Sequence, residues 1–249
     1  MTTKGLKIFF YTILSIILSY YVAILAHEYG HATMAWLFGY KTSPFDIKYG
    51  SWYLMPVSED VDYASILASG YGTREALIGI SGISVTIILF LISLFFLRKN
   101  GVQKRPLILS FFFWVASINL MEMFSYLNRT FVMGDIGEFV QGLNISPLWV
   151  FIPFTILVCW GLYRFYRYEL IKMFKLLPIT TTIMRRIYLW FTFWTVPPTL
   201  IYWGKIVNAD WQLLSNITNG ISIIVIIFIL IVCDPSRNWV KKTVWRGQT

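Results

Sequence analysis

Residues Leu6–Phe38 read LKIFFYTILSIILSYYVAILAHEYGHATMAWLF, and this run decides the fold class. After Lys7 it carries no lysine, arginine or carboxylate until Glu28. It is longer than the ~20 predominantly apolar residues that cross a hydrocarbon core as a helix. Lys4 and Lys7 ahead of an apolar run, with the small Ala26 downstream, also fit the outline of a signal peptide. The stretch Ile8–Ala26 is too long for a signal core, however, and apolar character continues to Phe38, so an uncleaved membrane helix is expected.

The rest of the chain repeats this character. Of 249 residues, 57% are hydrophobic and 13% charged, against about a quarter charged in soluble proteins, and mean hydropathy is +0.64. Further candidate segments are Ala76–Leu97, Leu107–Leu127, Leu148–Tyr168, Ile187–Trp203 and Ile217–Cys233. The fifth contains Pro197-Pro198, which interrupts helical hydrogen bonding and predicts a kinked, broken or re-entrant segment. An all-α membrane protein with about six transmembrane helices follows. In the first extramembrane loop, Phe45–Tyr49 and Trp52-Tyr53-Leu54 flank Gly50-Ser51 as a short β-hairpin. Residues 1–168 read as one membrane core; residues 169–249 read as a basic linker followed by two more segments. Cys159 and Cys233 lie inside apolar runs and form no disulfide framework.

The net charge of +9 follows the membrane segments. Lys4 and Lys7, the loop Arg98–Arg105, the linker Arg164–Arg186 and the tail Arg237–Arg246 alternate with loops of mixed sign. Six segments put these four basic stretches on one side, and the positive-inside rule makes that side, with both termini, cytoplasmic. Orientation therefore accounts for the charge, and nucleic acid is excluded as a partner in favour of the lipid bilayer.

The chemistry concentrates in His27-Glu28-Tyr29-Gly30-His31, which holds the chain's 2 histidines. Residues four apart share a helix face, so both imidazoles can present a nitrogen to one Zn²⁺. Glu28 can reach a water beside that ion and act as general base. Ionisable groups inside a membrane helix are costly and signal function. Zinc at a catalytic site takes a third protein ligand, and with no histidine left it is an aspartate, a glutamate or a cysteine. The candidates are Asp135 in Met133-Gly134-Asp135-Ile136-Gly137-Glu138, with Glu138 in reserve, and Glu122. Asp135 follows the third segment, on the side to which the first helix delivers the histidines. Glu122 shares a helical face with Asn119 and Tyr126.

This arrangement resembles the site-2 protease family of intramembrane metallopeptidases, in which HExxH on a core membrane helix pairs with an aspartate near a later one. The resemblance covers roughly Leu6–Tyr168. It implies an HExxH-type zinc-dependent endopeptidase acting on a membrane-anchored protein, with His27, His31 and Asp135 on zinc and Glu28 as base. It also implies a substrate-orienting asparagine, Asn128 or Asn119, and a glycine motif in the second segment, here Gly79-Ile80-Ser81-Gly82-Ile83. Asp135 is followed by Ile136 where the family has glycine. Two other readings keep part of this chemistry: a prenyl-protein-protease-type hydrolase with a glutamate as third ligand, and a catalytically degenerate membrane binding protein.

Overall fold

The computed structural model describes residues 3–52, 57–132, 134–177, 179–193 and 209–245. Eleven α-helices run through them: α1 Thr3–Leu37, α2 Tyr63–Ala68, α3 Gly72–Leu97, α4 Asn100–Gln103, α5 Pro106–Arg129, α6 Asp135–Leu143, α7 Leu148–Arg164, α8 Leu170–Leu176, α9 Thr182–Thr192, α10 Gln212–Val232 and α11 Asn238–Trp245. A π-helical turn, Phe165–Glu169, joins α7 to α8.

Five helical stretches are long and apolar enough to cross a membrane: Leu6–Leu37, Gly72–Leu97, Pro106–Leu127, Leu148–Leu176 and Ala209–Val232. This is an all-α integral membrane protein. The expected fifth segment, Ile187–Trp203, begins inside α9, but residues 194–208, with Pro197-Pro198, lie outside the described residues. Among the described residues of the expected hairpin, one antiparallel bridge joins Lys48 to Ser58. Gly50 turns the chain in a left-handed conformation (φ 64°). Tyr53 and Leu54 of the second expected strand lie outside the described residues.

The helices α1, α3 and α5 pack against one another, and α6 lies along α3. Lipid is as apolar as leucine, so membrane helices associate through close packing and buried polar contacts. Ser19 Oγ donates to Phe111 O (3.0 Å), tying α1 to α5. Proline at the first position starts α5 without losing a needed donor. Its Phe113, Trp114, Leu120 and Phe124 are wholly buried, with Phe113 stacked on Phe165 at 4.9 Å.

Contacts between elements define two ends of the bundle. Lys172 Nζ donates to Leu97 O (2.7 Å) and Arg186 pairs with Asp234 (2.8 Å), which brings the end of α3, α8, the start of α9 and the end of α10 together. Arg167 lies over the Trp239 ring of α11 at the same end. At the opposite end, Gly72 of α3 abuts Gly142 of α6, and Phe131 meets Trp211 just before α10.

Candidate metal centre

HEYGH lies in the last third of α1, one turn carrying both histidines on the face turned to α3 and α6. His31 is buried, and its Nδ1–H donates to Ile78 O of α3 (2.7 Å). A carbonyl only accepts, so the neutral ring keeps its proton on Nδ1 and leaves the Nε2 lone pair free to face His27 and Asp135. His27 Nδ1 pairs with Thr86 Oγ1 (3.0 Å), about two turns further along α3.

Two glycines of α3 make room. A Cβ on Gly82 would stand 2.2 Å from His31 Nε2, and one on Gly79 would stand 2.7 Å from Asp135 O. The Gly79–Ile83 stretch is thus a packing notch: one glycine admits the imidazole, the other the backbone of α6.

Asp135 is the first residue of α6. Gly134 caps that helix with φ 128°, a conformation open to glycine and strained for other residues. The turn directs Asp135 Oδ2 to 3.0 Å from His27 Nε2 and 3.4 Å from His31 Nε2, and the two Nε2 atoms are 3.1 Å apart. Among the described residues, His27, His31 and Asp135 form the one group of three or more such side chains whose ligand atoms converge this closely. Glu138, one turn further along α6, is outside the group and packs its Cβ near Gly79.

The donor set fits zinc. His31 Nε2 and Asp135 Oδ2 bring lone pairs together and His27 Nε2 faces both, an arrangement that repels unless a cation or proton sits among them. Tetrahedral zinc with bonds of ~2.0–2.1 Å separates its ligands by about 3.3 Å, close to the three spacings found here. Both distal ring nitrogens are engaged, as in zinc-binding histidines generally.

A cavity of about 400 Å³ opens onto the cluster, bounded by Tyr20, Ala23 and Ile24 of α1, Ile118, Asn119 and Glu122 of α5, and Val57 of the first loop. Glu28 lines it, with Oε2 buried and lacking a hydrogen-bond partner within the protein. Asn119 also lines it while its Nδ2 donates to Val115 O (2.7 Å). Asn128 falls on α5, but its side chain lies outside the described ones.

Two groups here escaped the sequence reading. Tyr126 donates its hydroxyl to Asp135 Oδ2; its place on the Asn119–Glu122 face was the only clue. Glu59 of the first loop stands within hydrogen-bonding reach of Glu28. Its Oε1 accepts from Tyr63 (2.7 Å), whose phenol burial and the Glu59 charge push well above its ordinary value, keeping it a donor. No local pattern announces Glu59.

The fold and the site together define an all-α integral membrane protein with a His-His-Asp cluster beside Glu28, whose buried Oε2 has no hydrogen-bond partner within the protein. No family model, curated protein or solved structure matches the chain.

Proposed function

We propose that this protein is an intramembrane zinc metallopeptidase of the site-2 protease type, cleaving a membrane-anchored protein. The observation that supports it best is convergence: residues 108 apart in sequence, His27 and Asp135, come to 3.0 Å with His31 beside them.

His27 Nε2, His31 Nε2 and Asp135 Oδ2 would hold the ion, which would supply Lewis acidity and lower the pKa of a nearby water. Glu28 Oε2, buried and aimed into the cavity, takes the proton of the attacking water and returns it to the leaving nitrogen. Asn119 offers its amide to the substrate backbone from the α5 wall. Both histidines lie within the apolar span Leu6–Leu37, so the substrate reaches the site at membrane depth. A helical substrate has its amides hydrogen-bonded within itself, so it must unwind locally to be cut. The four basic stretches make their end of the bundle cytoplasmic and place the site in the opposite half of the membrane.

Glu28→Gln tests this reading. Loss of the base lowers cleavage of a membrane-anchored substrate by about 10²–10⁴-fold while zinc content is unchanged. A variant that cleaves as well as the unsubstituted protein removes Glu28 as base; one that never cleaved in either form favours the binding-protein reading.

A further inference from the structure

We infer that Tyr126 is the positioning residue that holds Asp135 in its ligating orientation and thereby sets the metal affinity of the site. The inference rests on the zinc reading of the His27–His31–Asp135 cluster and adds a residue that no motif carries.

The phenol occupies a defined place. Tyr126 is buried at 1% exposure, and its hydroxyl donates to Asp135 Oδ2, the same carboxylate oxygen that faces both histidines. That hydroxyl is also 3.3 Å from His27 Nε2. It therefore stands at the edge of the three-atom cluster without belonging to it.

The ring is held as well. It stacks on the His27 imidazole with centroids 6.3 Å apart and planes 19° from parallel, and the Arg129 guanidinium lies 4.8 Å from its centroid. One turn of α5 thus delivers a tyrosine whose ring neighbours both the first ligand and a cation, with its hydroxyl on the third ligand. A space-filling aromatic needs no such hydroxyl contact.

The physical consequence concerns Asp135. An aspartate on the first residue of a short helix has free rotation about its side-chain bonds, and either oxygen can face the histidines. A donor fixed on Oδ2 selects one rotamer and spreads part of the carboxylate charge into a hydrogen bond. Such partners of metal ligands typically change metal affinity by about 10–100-fold when removed.

Tyr126→Phe keeps the ring, the stack and the packing and deletes the hydroxyl alone. Tyr166→Phe is the control, since Tyr166 is equally buried, accepts a hydrogen bond from Thr192 (3.2 Å), and lies away from the cluster. The detergent-purified full chain is titrated with zinc against a chromophoric chelator, with thermal melts to verify folding. Tyr126→Phe is expected to bind zinc about 10–100-fold more weakly, and Tyr166→Phe to match the unsubstituted protein. Cleavage by Tyr126→Phe is expected to return towards the unsubstituted rate once zinc is raised to saturation. Equal zinc affinity in Tyr126→Phe and the unsubstituted protein overturns the inference. So does a low kcat that persists at full zinc load, which assigns the hydroxyl to the reaction itself. An unsubstituted protein that binds no zinc overturns the underlying site reading, a result distinct from both.

Discussion

Two carboxylates, the half-buried Asp135 and the buried Glu169, sit at opposite ends of the bundle in opposite electrostatic situations. Glu169, with no side-chain exposure, meets Arg164 at 2.9 Å and Lys172 more closely still. The π-helical turn that ends at Glu169 winds the backbone so that these cations, five residues before it and three after, reach it. Asp135, at 16% side-chain exposure, faces two imidazole nitrogens, and one of these carries a lone pair by virtue of its Ile78 hydrogen bond. A buried charge is tolerated when paired. The protein completes the pairing of Glu169 with its own side chains, whereas in the proposed reading a metal ion completes the Asp135 cluster. That difference separates a structural ion pair from a binding site.

The largest expected effect concerns metal-dependent stability. Zinc at about 1,000 times its Kd stabilises the folded state by about 4 kcal/mol, so a chelator lowers the Tm of the unsubstituted protein. Asp135→Asn abolishes this chelator sensitivity and costs about 1 kcal/mol or less in metal-free protein, because the amide still accepts from Tyr126. Glu169→Gln does the reverse. It leaves two cations without their anion and costs about 3 kcal/mol, with zinc affinity unchanged. If both variants change stability alike and neither alters the chelator response, the distinction between the two ends disappears.

Much of this comparison was legible in the sequence, unequally. HEYGH could be read because its geometry is local: four residues apart on one helix is one face, wherever the helix packs. Asp135 was accessible through topology, since three segments bring the chain back to the side where the histidines lie. The Gly79–Ile83 motif was visible, but its reason was not, because a notch has meaning only against the neighbour that fills it. Thr86, Ile78, Tyr126 and Glu59 contact the HEYGH turn or Asp135 from other elements, and no periodicity encodes such pairings. The β-hairpin is met only in part. Alternating residues around Gly50 satisfy a local rule, and one bridge joins Lys48 to Ser58 among the described residues, while Tyr53 and Leu54 lie outside them.

A smaller effect tests the notch. Gly82→Ala forces the His31 ring to move and costs about 2 kcal/mol by overpacking, together with a measurable loss of zinc affinity. Gly101→Ala, whose Cβ enters open space, leaves zinc binding unchanged. A Gly82→Ala protein with normal zinc binding separates the glycine from the histidine's placement.

The smallest effect lies at the basic end. Hydrogen bonding to Arg186, against a modest opposing effect of burial, holds the Asp234 carboxyl well below the ordinary carboxylate range. A carboxylate depressed in the folded state stabilises above its unfolded value, near 3.9, and loses that contribution as pH falls towards the folded value. The exposed pair therefore gives a slight Tm loss on acidification below about pH 4, absent in Asp234→Asn. An identical acid response in that variant removes the pair from the account.

Metal analysis of the purified full chain tests the central claim most directly, comparing the unsubstituted protein with Asp135→Asn and Glu138→Gln. The account predicts about one zinc per chain in the unsubstituted protein and in Glu138→Gln, and close to none in Asp135→Asn. Zinc retained by Asp135→Asn and lost from Glu138→Gln contradicts it and points to the glutamate-ligand hydrolase instead.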